Sequence, residues 1–279
     1  MTKTWSYAFA NSKLRKVSRQ KNHKDNSNLL EYPNNVTIKN LFTYFIFTPP
    51  IQYQPCLHSK INPNWIAIIK YAVKQFLVLY VTLFIGIQYL YPELQTLRGT
   101  ENGWIHDLRC GTNIALPVAI CWIFYCYIST YRVYLPAYAE FTGMKNTVFS
   151  TDWWNSEDLN VFWRKWNIPV HECLKFNVVV PLMKNGYSKM FSIFVAYILA
   201  GILHEYLNSL PLGVYNGMHM FFTLLEIPAG YITTYIGEKF GKRIGNLTLW
   251  AYLIIFHTIG TLFYGYKLRD MSVFLEAVN

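Results

Sequence analysis

The sequence predicts an all-α, multi-span integral membrane protein of about five transmembrane helices with interfacial amphipathic segments between them. Three observations lead there. Hydrophobic residues make up 53% of the 279, aromatics 18% and charged residues only 14%, against the roughly 25% charged of an ordinary soluble domain. Five stretches are apolar over the roughly twenty residues that a helix needs to cross a bilayer. Between the second and third lies a segment with four tryptophans in fourteen residues, Trp153, Trp154, Trp163 and Trp166, beside Asp, Asn and Arg. That segment is too polar to span and too aromatic to leave the interface.

Taken in order, residues 1–65 read as a basic cytosolic linker with an interfacial piece. Trp5 to Asn11 reads as the end of a helix, followed by a loop. The apolar run from Asn40 to Pro50 is too short to span. The expected spans are 66–91, 112–135, 189–210, 217–236 and 247–267. Pro117 falls near the start of the second, where a helix tolerates it best. Ala196, Ala200 and Gly201 on the third permit close helix approach. Lysine and arginine concentrate in residues 1–65 and 237–246, while the loop 92–111 is balanced by Glu93, Glu101 and Asp107. The positive-inside rule then makes 1–65, 136–188 and 237–246 cytosolic and the C-terminus lumenal. On that topology the sequons at Asn35 and Asn246 stay unglycosylated.

The net charge is +10, and +6 of it lies in the first 39 residues, eight basic against two acidic. A basic chain raises nucleic acid, anionic lipid or an anionic substrate as partners. No recognition module surrounds the basic run, which excludes nucleic acid. Cys56, Cys110, Cys121, Cys126 and Cys173 are odd in number and lack ligand spacing, so neither a disulfide framework nor a metal site is expected. Residues 1–39 have no apolar core of a signal peptide, so insertion is expected to use the internal helices.

Chemistry-bearing residues are few. The apolar run from Ser192 to Leu203 carries His204 into the same helix, and an ionisable group at membrane depth is a functional-site hypothesis in itself. Polar glue between helices is the competing role. His171, after Pro169 in the interfacial stretch, reads as solvated or structural. His219 and Glu226 are seven apart and share a helix face, and His257 lies in the last span. A polar path through His204, Glu226 and His257 would also suit a transporter, but no internal repeat supports one.

Asp152-Trp153-Trp154-Asn155-Ser156, then Trp166-Asn167-Ile168-Pro169-Val170-His171, then His204-Glu205-Tyr206 resemble the successive motifs of the membrane-bound O-acyltransferase superfamily. Within it they resemble the branch of diacylglycerol and sterol acyltransferases, from about residue 5 to 268. The resemblance implies helices around an intramembrane chamber, with residues 66–279 the C-terminal part of the core and 136–188 a cytosolic acyl-CoA segment. Family members carry further helices ahead of this point, so a truncated or partner form is an open alternative.

The implied reaction moves a fatty acyl group from acyl-CoA, a co-substrate with no further cofactor, to diacylglycerol, with a sterol as the alternative acceptor. His204 is implied as general base and Asn155 as a nearby catalytic amide. Phe149, Asp152, Trp153, Trp154, Arg164 and Lys165 are implied at acyl-CoA, with Lys184 a further cytosolic cation. Ser150 stands where the motif has tyrosine. Glu226 and His257 fall at the acceptor chamber, where the branch has uncharged glutamines. The resemblance also implies a homo-oligomer in the endoplasmic reticulum membrane, surrounded by its lipids.

Overall fold

The computed structural model describes residues 2–20, 32–47, 63–97, 103–142, 148–213 and 215–278, and among them the secondary structure is entirely helical. Helix α1 (Thr2–Gln20) lies against α2 (Ile38–Phe47). Tyr7 stacks on Tyr44 with ring centroids 6.1 Å apart. The Tyr7 hydroxyl donates to the Asn35 carbonyl at 3.0 Å, and Asn35 Nδ2 donates to Asn11 Oδ1 at 2.7 Å. Helix α2 has only 10 residues and leaves Phe42 and Ile46 exposed, the form of a short interfacial helix.

Helix α3 (Trp65–Ile85) starts at Asn64, whose side chain accepts from Ala67 N, and runs through a π-helical stretch (Gly86–Leu90) into α4 (Tyr91–Leu97). Helix α5 (Trp104–Trp122) continues as π-helix (Ile123–Tyr134) into α6 (Leu135–Thr142). Pro117 therefore stands inside α5 and not near a helix start, a correction to the sequence reading. The reason is that the polar residues ahead of the apolar run, Arg109 among them, are already helical. The proline ring then costs one main-chain hydrogen bond within the helix.

Past Val148 come a 3₁₀ turn (Trp153–Asn155) and the short helices α7 (Leu159–Trp166) and α8 (Ile168–Leu174), then a π-helical stretch (Lys175–Val179) and α9 (Val180–Lys184). Three long helices close the chain: α10 (Lys189–Leu212), α11 (Met218–Phe240) and α12 (Lys242–Val278). Helix α11 packs between α10 and α12, α12 also packs on α5, and α3 lies along the π-helical part of the second span.

Among the described residues three helical runs are long and apolar enough to cross a membrane: Trp65–Thr96, Leu108–Thr142 and Lys189–Leu207, with mean hydropathies of 1.7, 1.6 and 1.6. The other two expected spans are helices as well, α11 and α12, with groups such as Thr223, Glu226 and Thr258 among their apolar residues. No residue of α3 is buried, and Ile66, Val73, Phe76 and Leu83 lie open. A helix with every backbone group bonded internally and its apolar side chains outward is what a bilayer accepts.

The main core is aromatic. Trp153, Leu159, Phe162 and Trp166 pack with Tyr127, Leu249 and Leu253. Trp122 and Trp166 stack at 4.4 Å and 9°, while Trp153 meets Trp166 edge-on at 4.9 Å and 85°. Such offset and edge geometries add about 0.5–1.5 kcal/mol per pair beyond burial. Leu159, Phe162 and Trp166 recur at helical spacing and point inward, leaving Arg164 outward, so α7 has one apolar and one polar face. Cys56 falls outside the described residues.

Candidate active site

Two features define the site, a polar seam between α10 and α11 and the tryptophan-rich segment docked at the far end of α11. The seam is built by a turn. Helix α10 begins at Ser188, whose hydroxyl accepts from Phe191 N at 3.2 Å, and ends at Gly213, where φ is +64°. A left-handed residue of this kind favours glycine. Helix α11 then starts after Gly217, also at positive φ, and gets no cap from that residue's side chain.

Glu205 supplies the cap from across the turn. Its Oε1 accepts from Ser209 Oγ at 2.8 Å and from Gly217 N at 2.9 Å. Its Oε2 accepts from His219 N at 3.0 Å. Weaker bonds come from Asn216 N and Met220 N. A carboxylate on the exposed N–H groups and positive end of a helix stabilises it. Close approach is enforced one turn earlier, since a Cβ on Gly201 would stand 3.3 Å from Met220 Cα.

His204, beside Glu205, is exposed and sets Nδ1 3.5 Å from Thr223 Oγ1 on α11. Thr223 is buried, and its hydroxyl donates to the His219 carbonyl at 2.7 Å. One turn further along α11 comes Glu226, half-buried and within electrostatic reach of Tyr197 on α10 and Tyr252 on α12. Its carboxylate faces the buried indole N–H of Trp163 without closing a hydrogen bond of normal geometry.

At the other end, Asp158 caps α7 by accepting from Val161 N at 2.8 Å, and Leu159 N donates to Thr233 Oγ1 of α11 at 3.2 Å. Asn160 donates to the Gly230 carbonyl and to Thr234 Oγ1. The Glu157 carbonyl sits over the crossing of α11 and α12 at Gly237 and Gly245. Asn246 Nδ2 donates to the carbonyls of Trp154 at 2.8 Å and Ser156 at 2.7 Å, and Trp250 Nε1 adds a bond to Trp154 at 3.3 Å. Lys242 pairs with Glu157 at 2.9 Å.

Residues 9–266 match the family model described as membrane-bound O-acyltransferase. The chain belongs to the membrane-bound O-acyltransferase family. It is 27% identical to diacylglycerol O-acyltransferase 1 of Arabidopsis thaliana over 79% of this chain and 42% of that protein. To diacylglycerol O-acyltransferase 1A of Glycine max it is 27% identical over 83% of this chain and 46% of that protein. Diacylglycerol O-acyltransferase 1 of Dictyostelium discoideum is 26% identical over 93% of this chain and 42% of that protein. The chain thus spans a little under half the length of these relatives.

Against this family background the structure sorts the expected site residues. His204 and Glu226 come to one seam of α10 and α11. The side chain of His257 lies outside the described residues, although its backbone is part of α12. Asn155 does not come to His204. Asn155 is two residues before Glu157, whose level on α11 is Gly237, whereas His204 meets Thr223. Fourteen residues of helix, about 21 Å at 1.5 Å per residue, separate those two levels, beyond the reach of either side chain.

The expected acyl-CoA set divides as well. Phe149 and Trp153 are 4% and 2% exposed, which leaves them holding the segment together with no surface for a ligand. Trp154, Asp152 and Arg164 are exposed. Asp152 pairs with Lys165 at 3.0 Å, and the Lys165 ammonium holds its carboxyl below the usual carboxylate range. Burial holds His171 below the ordinary imidazole value, with Glu172 opposing and Lys175 and Arg164 assisting. Ser150 is buried with its hydroxyl unpartnered.

The sequence does not single out Thr223, and it gives Asn246 no structural role. Thr223 is three residues from Glu226 on a face already recognised as polar. Asn246 was legible only as a sequon.

Proposed function

We propose that this chain forms the core of an enzyme that transfers a fatty acyl group from acyl-CoA to the free hydroxyl of diacylglycerol, giving triacylglycerol, in the endoplasmic reticulum membrane. The observation that carries the reading is His204 held across the α10–α11 seam, inside a helical run apolar enough to cross a membrane and next to a carboxylate that fixes the turn. Family membership supports acyl transfer, and the relatives named above support diacylglycerol as acceptor.

A histidine suits the base because its ordinary pKa is near physiological pH. In the proposed reaction the His204 imidazole takes the hydroxyl proton as the oxygen attacks the thioester carbonyl. The tetrahedral intermediate then collapses, the C–S bond breaks, and the CoA thiolate leaves with the proton returned by the imidazolium. No side chain need become acylated. Acyl-CoA enters from the tryptophan-rich end, where Trp154, Arg164, Lys165 and Asn155 lie near the cytosol, and its pantetheine arm bridges the distance to His204. Glu226, one turn from Thr223, lies at the acceptor side.

The test is incorporation of labelled oleoyl-CoA by membranes containing this chain, with diacylglycerol or cholesterol supplied separately and His204→Ala alongside. Label in triacylglycerol that disappears in the variant supports the proposal. Label in sterol ester moves the acceptor to a sterol. An inserted protein that makes neither ester refutes transferase activity for this chain on its own.

A further inference from the structure

We infer that Thr223 is a positioning residue that fixes the tautomer of His204, making Nδ1 the protonated nitrogen and leaving Nε2 unprotonated, the nitrogen that takes the proton of the reacting hydroxyl. The inference rests on His204 being the base. It follows from counting protons along one chain of contacts. A threonine hydroxyl has a single proton, and a main-chain carbonyl can only accept. The Thr223 hydroxyl lies 2.7 Å from the His219 carbonyl, so its proton is committed there. Toward His204 it presents lone pairs, and the nitrogen facing it, Nδ1 at 3.5 Å, has to be the donor. A neutral imidazole has one N–H, which leaves Nε2 unprotonated and able to take a proton.

The contact is long, as catalytic hydrogen bonds often are before substrate closes the site. What makes it specific is that it belongs to a closed ring. His204 is bonded through the backbone to Glu205. Glu205 Oε2 accepts from His219 N at 3.0 Å, the His219 carbonyl accepts from Thr223, and the Thr223 hydroxyl faces back to His204. Every link runs through a group held by a helix terminus or a helix interior, and Thr223 itself is only 5% exposed. Rotating the imidazole or switching its tautomer breaks the ring at the one place where the donor is optional.

Thr223→Val keeps the shape and removes the hydroxyl, while Thr223→Ser keeps the hydroxyl. Orienting partners of this kind are worth roughly 10–100-fold in activity. Thr223→Val is therefore expected to lower kcat by about 10-fold or more with KM for acyl-CoA unchanged, and Thr223→Ser to restore most of it. Equal kcat in wild type and Thr223→Val, or equal loss in both variants, would overturn the inference.

Nitrogen NMR on histidine-labelled protein in lipid, with His204 assigned by its loss in His204→Gln, reads the tautomer directly whether or not acyl transfer is detected. The expected spectrum has a protonated Nδ1 and an unprotonated Nε2 in wild type and Thr223→Ser, and a shifted or mixed tautomer in Thr223→Val. A wild-type His204 protonated on Nε2, or a spectrum unmoved by Thr223→Val, sinks it. Absence of transfer with the expected spectrum sinks the proposed function alone.

Discussion

Replacing Gly245 with alanine sets two physical effects against each other, and the structure decides the sign. Helix propensity alone favours alanine over glycine by about 1 kcal/mol. A Cβ at Gly245, however, would be placed on the Glu157 carbonyl oxygen and 2.9 Å from Gly237 Cα. Both obstacles are backbone. To regain van der Waals separation the carbonyl has to withdraw by more than about 1 Å, which costs about 1–3 kcal/mol as overpacking.

Withdrawal also pulls the Trp154 and Ser156 carbonyls from Asn246 Nδ2, at about 1 kcal/mol for each bond. Net of propensity, Gly245→Ala is expected to destabilise by about 2–4 kcal/mol. The assay is unfolding of the purified protein in detergent, followed by the fluorescence of the aromatic core. Gly86→Ala is the control, since nothing stands within 4 Å of a Cβ there, and it should be neutral or gain up to about 1 kcal/mol. A Gly245→Ala protein as stable as wild type would refute the docking of the tryptophan segment at that crossing.

Adjacent tryptophans should behave oppositely. Trp153→Ala empties a buried site and should cost about 3–5 kcal/mol in the same unfolding assay. Trp154→Ala, 39% exposed, should leave the midpoint nearly unchanged while raising KM for acyl-CoA, and equal loss of stability in both would contradict the assigned burial. The Asp152–Lys165 pair gives a pH dependence. With its folded pKa depressed, Asp152 contributes stability above its unfolded value near 4, and that contribution is lost as pH falls through the lower folded value. Lys165→Met should flatten the stability profile below about pH 4, and an unaltered acid limb would show the pair to be idle. Asn246→Ala should cost about 2 kcal/mol by removing two hydrogen bonds, and the folded wild-type protein should have no glycan at Asn246 by mass spectrometry, because that nitrogen is already committed.

How much of this was legible in the sequence depends on the range of the interaction. The interfacial character of the tryptophan segment follows from its mixture of aromatic and polar residues, and three of the five expected spans coincide with helices apolar enough to cross a membrane, because both are local properties of the sequence. Span limits were less legible. Helix α5 starts well before the apolar stretch, since hydropathy marks where a helix may sit in lipid and not where its hydrogen bonding begins. The Asp-Trp-Trp-Asn and His-Glu-Tyr motifs pointed to the acyltransferase family, to which the chain belongs.

Local pattern in the sequence is enough for the helical membrane class, the family, and a histidine inside an apolar helical run. Only the tertiary packing decides that Trp153 is core while Trp154 is surface, that Asn155 lies toward the opposite end of α11 from His204, that Glu205 caps a helix beginning thirteen residues later, and that Thr223 faces the imidazole. The physical reason is common to all four. Each depends on which faces of separate helices meet, and that choice is made by close contacts such as those at Gly201, Gly237 and Gly245, whose partners are far away in the chain.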